Sequence, residues 1–140
     1  YRAALEEAGI PIDPALILEG GYRAASATAG ARALLELTDR PTAVFAANDL
    51  TALEMIRVAA ERGLSTPHDL SVVGFDDIPD AAAGTPALTT VRQPLIDMGG
   101  AAVRVLLSML SGGEPEHIRM PAELVVRGST AAFHGSLADS

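Results

Sequence analysis

The chain has 140 residues, of which 49% are apolar, and a formal charge of −8 at pH 7. Length and apolar content suit one globular unit with a true core and exclude a disordered chain, while the negative charge excludes a phosphate backbone as this segment's own partner. It contains neither cysteine nor lysine, which excludes disulfides, thiolate metal sites, thiol nucleophiles, Schiff-base chemistry and a Walker lysine.

No apolar run reaches the roughly 18 residues of a membrane span, and the first residues lack a signal-peptide pattern, so a soluble, cytoplasmic protein with no membrane partner is expected. The chain opens in a helix, Tyr1 to about Ala8, with Gly9 at its C′ position and Pro11 beyond. No cap precedes Tyr1, so more polypeptide is expected upstream. A short strand is predicted at Leu16 to Leu18, running into Gly20 and Gly21. A helix follows from about Arg23 to Leu37, with Ala27, Ala31, Leu34 and Leu35 on its inner side. The next strand is Ala43 to Ala47, after which Asn48 and Asp49 open a helix carrying Leu53, Ile56 and Ala60 on one stripe and ending at Gly63. Leu70 to Phe75 reads as a strand covered on both faces, because it is apolar along its length. It ends at Asp76 and Asp77. A helical turn at Pro79 to Ala83 precedes an extended run at Ala87 to Val91. Pro94 then starts a helix to about Ser111, striped by Leu95, Met98, Ala102, Leu106 and Met109. The last strand is Glu123 to Val126.

Strands and helices alternating in this order predict a doubly wound α/β fold with a mostly parallel sheet. Such sheets bind ligands in a crevice at the carboxyl ends of their strands. Asn48, Asp76 and Gln93 all stand at strand exits, and they include the only Asn and the only Gln in the chain. Amides that both donate and accept, beside a carboxylate that takes two donors, suit the hydroxyls of a sugar or nucleoside. Each residue also has a plainer reading, Asn48 and Asp49 as helix caps and Asp76 and Asp77 as turn residues. Tyr22, after Gly20 and Gly21, offers a stacking face or else a ring at the surface. His68, His117 and His134 are too scattered for a metal site, and no nucleophile stands beside a base, so neither metal nor catalytic residues are expected.

Three strings carry a more specific signal: Val44-Phe45-Ala46-Ala47-Asn48-Asp49, Leu70-Ser71-Val72-Val73-Gly74-Phe75-Asp76-Asp77 and Pro86-Ala87-Leu88-Thr89-Thr90-Val91-Arg92-Gln93-Pro94. With Met98-Gly99 and Arg127-Gly128-Ser129-Thr130 they closely resemble the LacI/GalR family of transcriptional repressors. The resemblance runs from Tyr1 to about Thr130. It implies part of a two-lobed, three-layer domain of the periplasmic-binding-protein type (type I), with a small sugar-like effector between the lobes and no cofactor. In these terms residues 1–91 are the C-terminal subdomain, 92–126 cross to the N-terminal subdomain, and 127–140 return. Asn48, Asp76 and Gln93 are similar to the family's effector-contacting residues, Tyr22 stands where the family places a ring against a sugar, and Phe75 lines the same pocket.

The resemblance further implies a homodimer contacting through Leu53, Ile56 and the segment Ala81 to Thr85, and operator DNA held by an upstream headpiece. A sugar-binding protein of a transport system shares the fold and is the alternative. An acidic pair serving Mg²⁺-dependent phosphoryl chemistry is a third reading, and the missing lysine argues against it.

Overall fold

The computed structural model describes residues 1–19, 21 and 24–132, with no side-chain placement at 24 and 25. Among the described residues four strands form one sheet in chain order: β1 (Ala43–Phe45), β2 (Ser71–Asp76), β3 (Thr89–Arg92) and β4 (Glu123–Val125). β1, β2 and β3 run parallel, and β4 is antiparallel to β3. The helices are α1 (Arg2–Glu7), α2 (Ala24–Leu35), α3 (Asp49–Glu61), α4 (Pro79–Ala83) and α5 (Leu95–Leu110). None is long and apolar enough to cross a membrane.

The core forms where α2 and α3 pack together and α3 lies on β2. Ala31, Leu34 and Leu35 of α2 meet Ala52, Met55, Val58 and Ala59 of α3 above Val72, Leu70 and Leu88. The α2 stripe is the one its sequence periodicity predicts. In α3 the buried stripe is instead Ala52, Met55, Val58 and Ala59, which leaves Leu53 and Ile56 half-buried at the margin and Ala60 exposed. Small residues at 52 and 59 let the helix approach the sheet closely, so the stripe centres on them.

Gly74 shows how close that approach is. A Cβ there would lie 2.2 Å from Asp49 Oδ1 and 2.9 Å from Leu88 Cδ2. Only a hydrogen fits between strand and helix.

Two expected elements differ. Leu16 to Leu18 is not a strand: Asp13 accepts the Ala15 N–H at 2.8 Å, Pro14 sits at the first helical position, and a 3₁₀ turn over Pro14–Leu16 results. A groove of about 330 Å³, lined by Leu16, Ile17, Leu18 and Val44 among others, lies between this segment and β1. Backbones held apart by that groove cannot pair. The second difference is Glu123–Val125, which was expected to lie outside this sheet with the rest of 92–126 and instead pairs with β3, Thr90 opposite Val125 and Arg92 opposite Glu123. Antiparallel pairing satisfies the backbone groups of both segments side by side.

Helix α5 stands apart from this core. Ala101 is its only buried residue, while Ile96 is 92% and Leu110 75% exposed.

Candidate functional site

The carboxyl ends of β1, β2 and β3 are built from the strings that stand out in the sequence. After β1 the chain turns at Asn48, whose extended backbone and side chain make it the N-cap of α3: its Oδ1 accepts the Thr51 N–H at 2.8 Å. The capping reading of Asn48 therefore holds, and the amide nitrogen of the same side chain remains for another partner.

Asp49 is not the cap. Its side chain is fully buried and braces two distant segments, accepting the Ile78 N–H at 2.9 Å on one oxygen and the Thr90 hydroxyl on the other. The carboxylate thus ties the start of α3 to the exit of β2 and to the middle of β3. Sequence reasoning missed this role, because its partners lie far away in the chain.

The exit of β2 is conformationally unusual. Asp76 (φ 113°) and Asp77 (φ 60°) are successive non-glycine residues in left-handed territory. Such conformations cost on the order of 1–3 kcal/mol each and persist only where the surroundings over-determine them. Here the side chains do so. Asp76 Oδ1 accepts Gln93 Nε2 at 2.8 Å. Asp77 accepts Arg92 Nε on one oxygen and Arg127 Nη2 on the other, each at 2.6 Å. Burial alone would raise the Asp77 pKa, but the hydrogen bonds from Arg92 and Arg127 outweigh it and hold the carboxyl below its ordinary value.

A third layer supports these two. Ser129 is fully buried; its hydroxyl donates to Val72 O at 2.6 Å and accepts the Thr89 N–H at 2.8 Å. The Arg127 N–H donates to Thr89 Oγ1 at 2.9 Å, and its guanidinium reaches Leu88 O at 2.8 Å. The Arg-Gly-Ser-Thr motif is thus a seam between β2 and β3.

Of the residues singled out from sequence, Asp76 and Gln93 are in direct contact, and Phe75 meets Phe45 edge to face at 6.5 Å between ring centres. Asn48 lies at the same edge of the sheet without a direct bond to the pair. Tyr22 lies outside the described residues. Gln93 also borders a second groove, of about 490 Å³, that runs along α5 past Met98, Leu106 and Met109 and is lined by neither Asn48 nor Asp76. Of the residues expected to meet a second subunit, Thr85 is exposed and Leu53 and Ile56 are half-buried. Ala81 is a correction: it is fully buried in the core, because the short α4 turns its small face inward under Leu88, whose N–H bonds to Ala81 O at 2.7 Å.

What the edge can do chemically follows from its groups. A carboxylate oxygen, an amide oxygen and an amide nitrogen stand within a few residues of two aromatic rings, a set suited to gripping a neutral, hydroxyl-rich molecule.

Comparison with known proteins agrees with this geometry. The family model described as a periplasmic binding protein-like domain matches residues 1–130. The chain is 50% identical over 121 residues to the HTH-type transcriptional regulator MalR of Streptomyces coelicolor, covering 84% of this chain and 33% of that protein. It is 37% identical over 138 residues to the HTH-type transcriptional repressor CytR of Escherichia coli, covering 95% and 40%. Among solved structures, the transcriptional regulator CelR in complex with cellobiose superposes with a TM-score of 0.87 at 37% identity, over 92% of this chain and 40% of that one. The chain thus spans between a third and two-fifths of the length of such relatives, which are regulators rather than enzymes. On the match of all but its last ten residues, and with the mostly parallel sheet and strand-exit motifs described above, the chain belongs to the periplasmic binding protein-like domain family, in the form found in LacI-type transcriptional regulators.

Proposed function

We propose that this chain is the effector-sensing part of a bacterial transcriptional repressor whose hold on operator DNA is set by a small sugar-like molecule. The observation that carries the reading is the Asp76–Gln93 pair, held at the carboxyl edge of a parallel sheet by a strained turn. Asn48 and Phe75 complete the grip. The cellobiose in the CelR complex supports a sugar as the effector class.

Operator DNA is held by a helix-turn-helix segment outside these residues, since a chain of charge −8 repels phosphates. Helix α5 carries the contact to a second lobe, which covers the apolar side chains exposed on it. Effector bridging both lobes favours one relative orientation, and only its differential affinity for the two orientations changes DNA binding. Two copies pair through the margin of α3, at Leu53 and Ile56, and through Thr85, matching a two-fold operator.

The test is Asp76→Ala in the full-length protein. Removing a charge-assisted acceptor costs about 1.5–3 kcal/mol, or roughly a 10- to 100-fold loss of effector affinity. Calorimetry with a panel of disaccharides including cellobiose measures the affinity, and operator release measures the response. Release at unchanged sugar concentration would count against the assignment.

A further inference from the structure

A nearly buried carboxylate with two ion pairs is left unused by the effector reading. Asp77 has a side chain only 8% exposed, and it spends one oxygen on each of two arginines. Arg92 is the last residue of β3, where the chain leaves the sheet towards α5. Arg127 stands just past β4, where the chain comes back. One carboxylate therefore ties the outgoing and the returning segments together. The tie is anchored to the sheet on both sides, since Arg127 also donates to Leu88 O and Thr89 Oγ1, and Arg92 reaches Glu123 Oε2 at 3.4 Å.

The neighbouring pair repeats the pattern one residue along: Asp77 holds Arg92, and Asp76 holds Gln93. Adjacent carboxylates on one strained turn thus grip adjacent residues at the end of β3. Rotation of the turn would break both grips together, because Asp76 and Asp77 share its backbone.

We propose that Asp77 is the positioning residue of the Asp76–Gln93 site, a clamp that fixes both chain crossings at one point and holds Asp76 in the conformation that faces ligand. This rests on the reading of Asp76 and Gln93 as effector groups. Without the Asp77 carboxylate, two guanidinium groups stand close together with no anion between them, and their repulsion opens the crossing.

Full-length protein carrying Asp77→Ala, Asp77→Asn or Asp77→Glu tests it, with the core truncation Val58→Ala as a control for general loss of stability. Amide hydrogen exchange is followed by mass spectrometry in peptides covering 75–78 and 91–94, and cellobiose affinity by calorimetry. In Asp77→Ala and Asp77→Asn both segments exchange at least about tenfold faster and affinity falls by at least about the same factor, since about tenfold is the scale of a single charge-assisted hydrogen bond and Asp77 makes two. Asp77→Glu restores part of each, and Val58→Ala lowers the melting temperature without either change. Wild-type exchange in Asp77→Ala, or equal acceleration in Val58→Ala, overturns the clamp. If the wild type binds no cellobiose while Asp77→Ala still accelerates exchange locally, the clamp stands and the sugar assignment is what fails.

Discussion

Replacing Gly74 by alanine would set a methyl carbon against the buried Asp49 carboxylate that ties the start of α3 to the exit of β2 and to β3. The new Cβ would stand 2.2 Å from Asp49 Oδ1, 2.9 Å from Leu88 Cδ2 and 3.3 Å from Ala52 Cβ. None of these atoms is the free end of a flexible chain, since Asp49 is fully buried and fastened to the Ile78 N–H and the Thr90 hydroxyl. Overpacking a tight core costs about 1–3 kcal/mol, and displacing the carboxylate from one charge-assisted hydrogen bond adds about 1.5–3 kcal/mol. The expected loss is therefore roughly 2.5–6 kcal/mol, a large part of the 5–15 kcal/mol typical of a folded domain. Urea unfolding followed by circular dichroism should show it, with the melting temperature lower by about 10 °C or more. Because the same carboxylate causes the clash, Gly74→Ala combined with Asp49→Ser should cost less than the sum of the two single changes. A Gly74→Ala protein within about 0.5 kcal/mol of the parent would refute the packing argument.

Ser129→Ala leaves the Thr89 N–H and the Val72 carbonyl without their buried partner and should cost about 2–4 kcal/mol in the same unfolding assay. Asn48 separates two roles: Asn48→Asp keeps the cap on α3 and the melting temperature but removes an amide donor, so it should weaken effector binding, whereas Asn48→Ala should also cost about 1 kcal/mol of stability. Glu54 is held at about 2, below its ordinary 4.5, by the bidentate Arg57 hydrogen bonds, which with help from Thr28 outweigh burial. Because the folded value is the lower one, its contribution is complete above about pH 4.5 and disappears as pH falls through 2. A carboxyl titration by NMR should place Glu54 there, and Arg57→Gln should return it towards the ordinary value.

Much of this molecule was legible in its residues. The alternation of apolar runs with capped helices fixed the order and type of nearly every element, because a period of two or of 3.6 is a local property that a few adjacent side chains express. Gly9, Gly63 and Gly112 mark helix ends and carry positive φ there. Asn48, Asp76 and Gln93 could be found at strand exits for the same local reason. What only the folded structure decided is which distant pieces meet. Leu16 to Leu18 has strand-like composition yet pairs with no backbone among the described residues. Glu123–Val125 joins β3 because that edge is free beside it. Ala81 disappears into the core, and Asp77 gathers two arginines from opposite ends of a crossing. Pairing, burial and charge neutralisation depend on proximity in space, which no local period records, and the working edge of this sheet is assembled from those contacts.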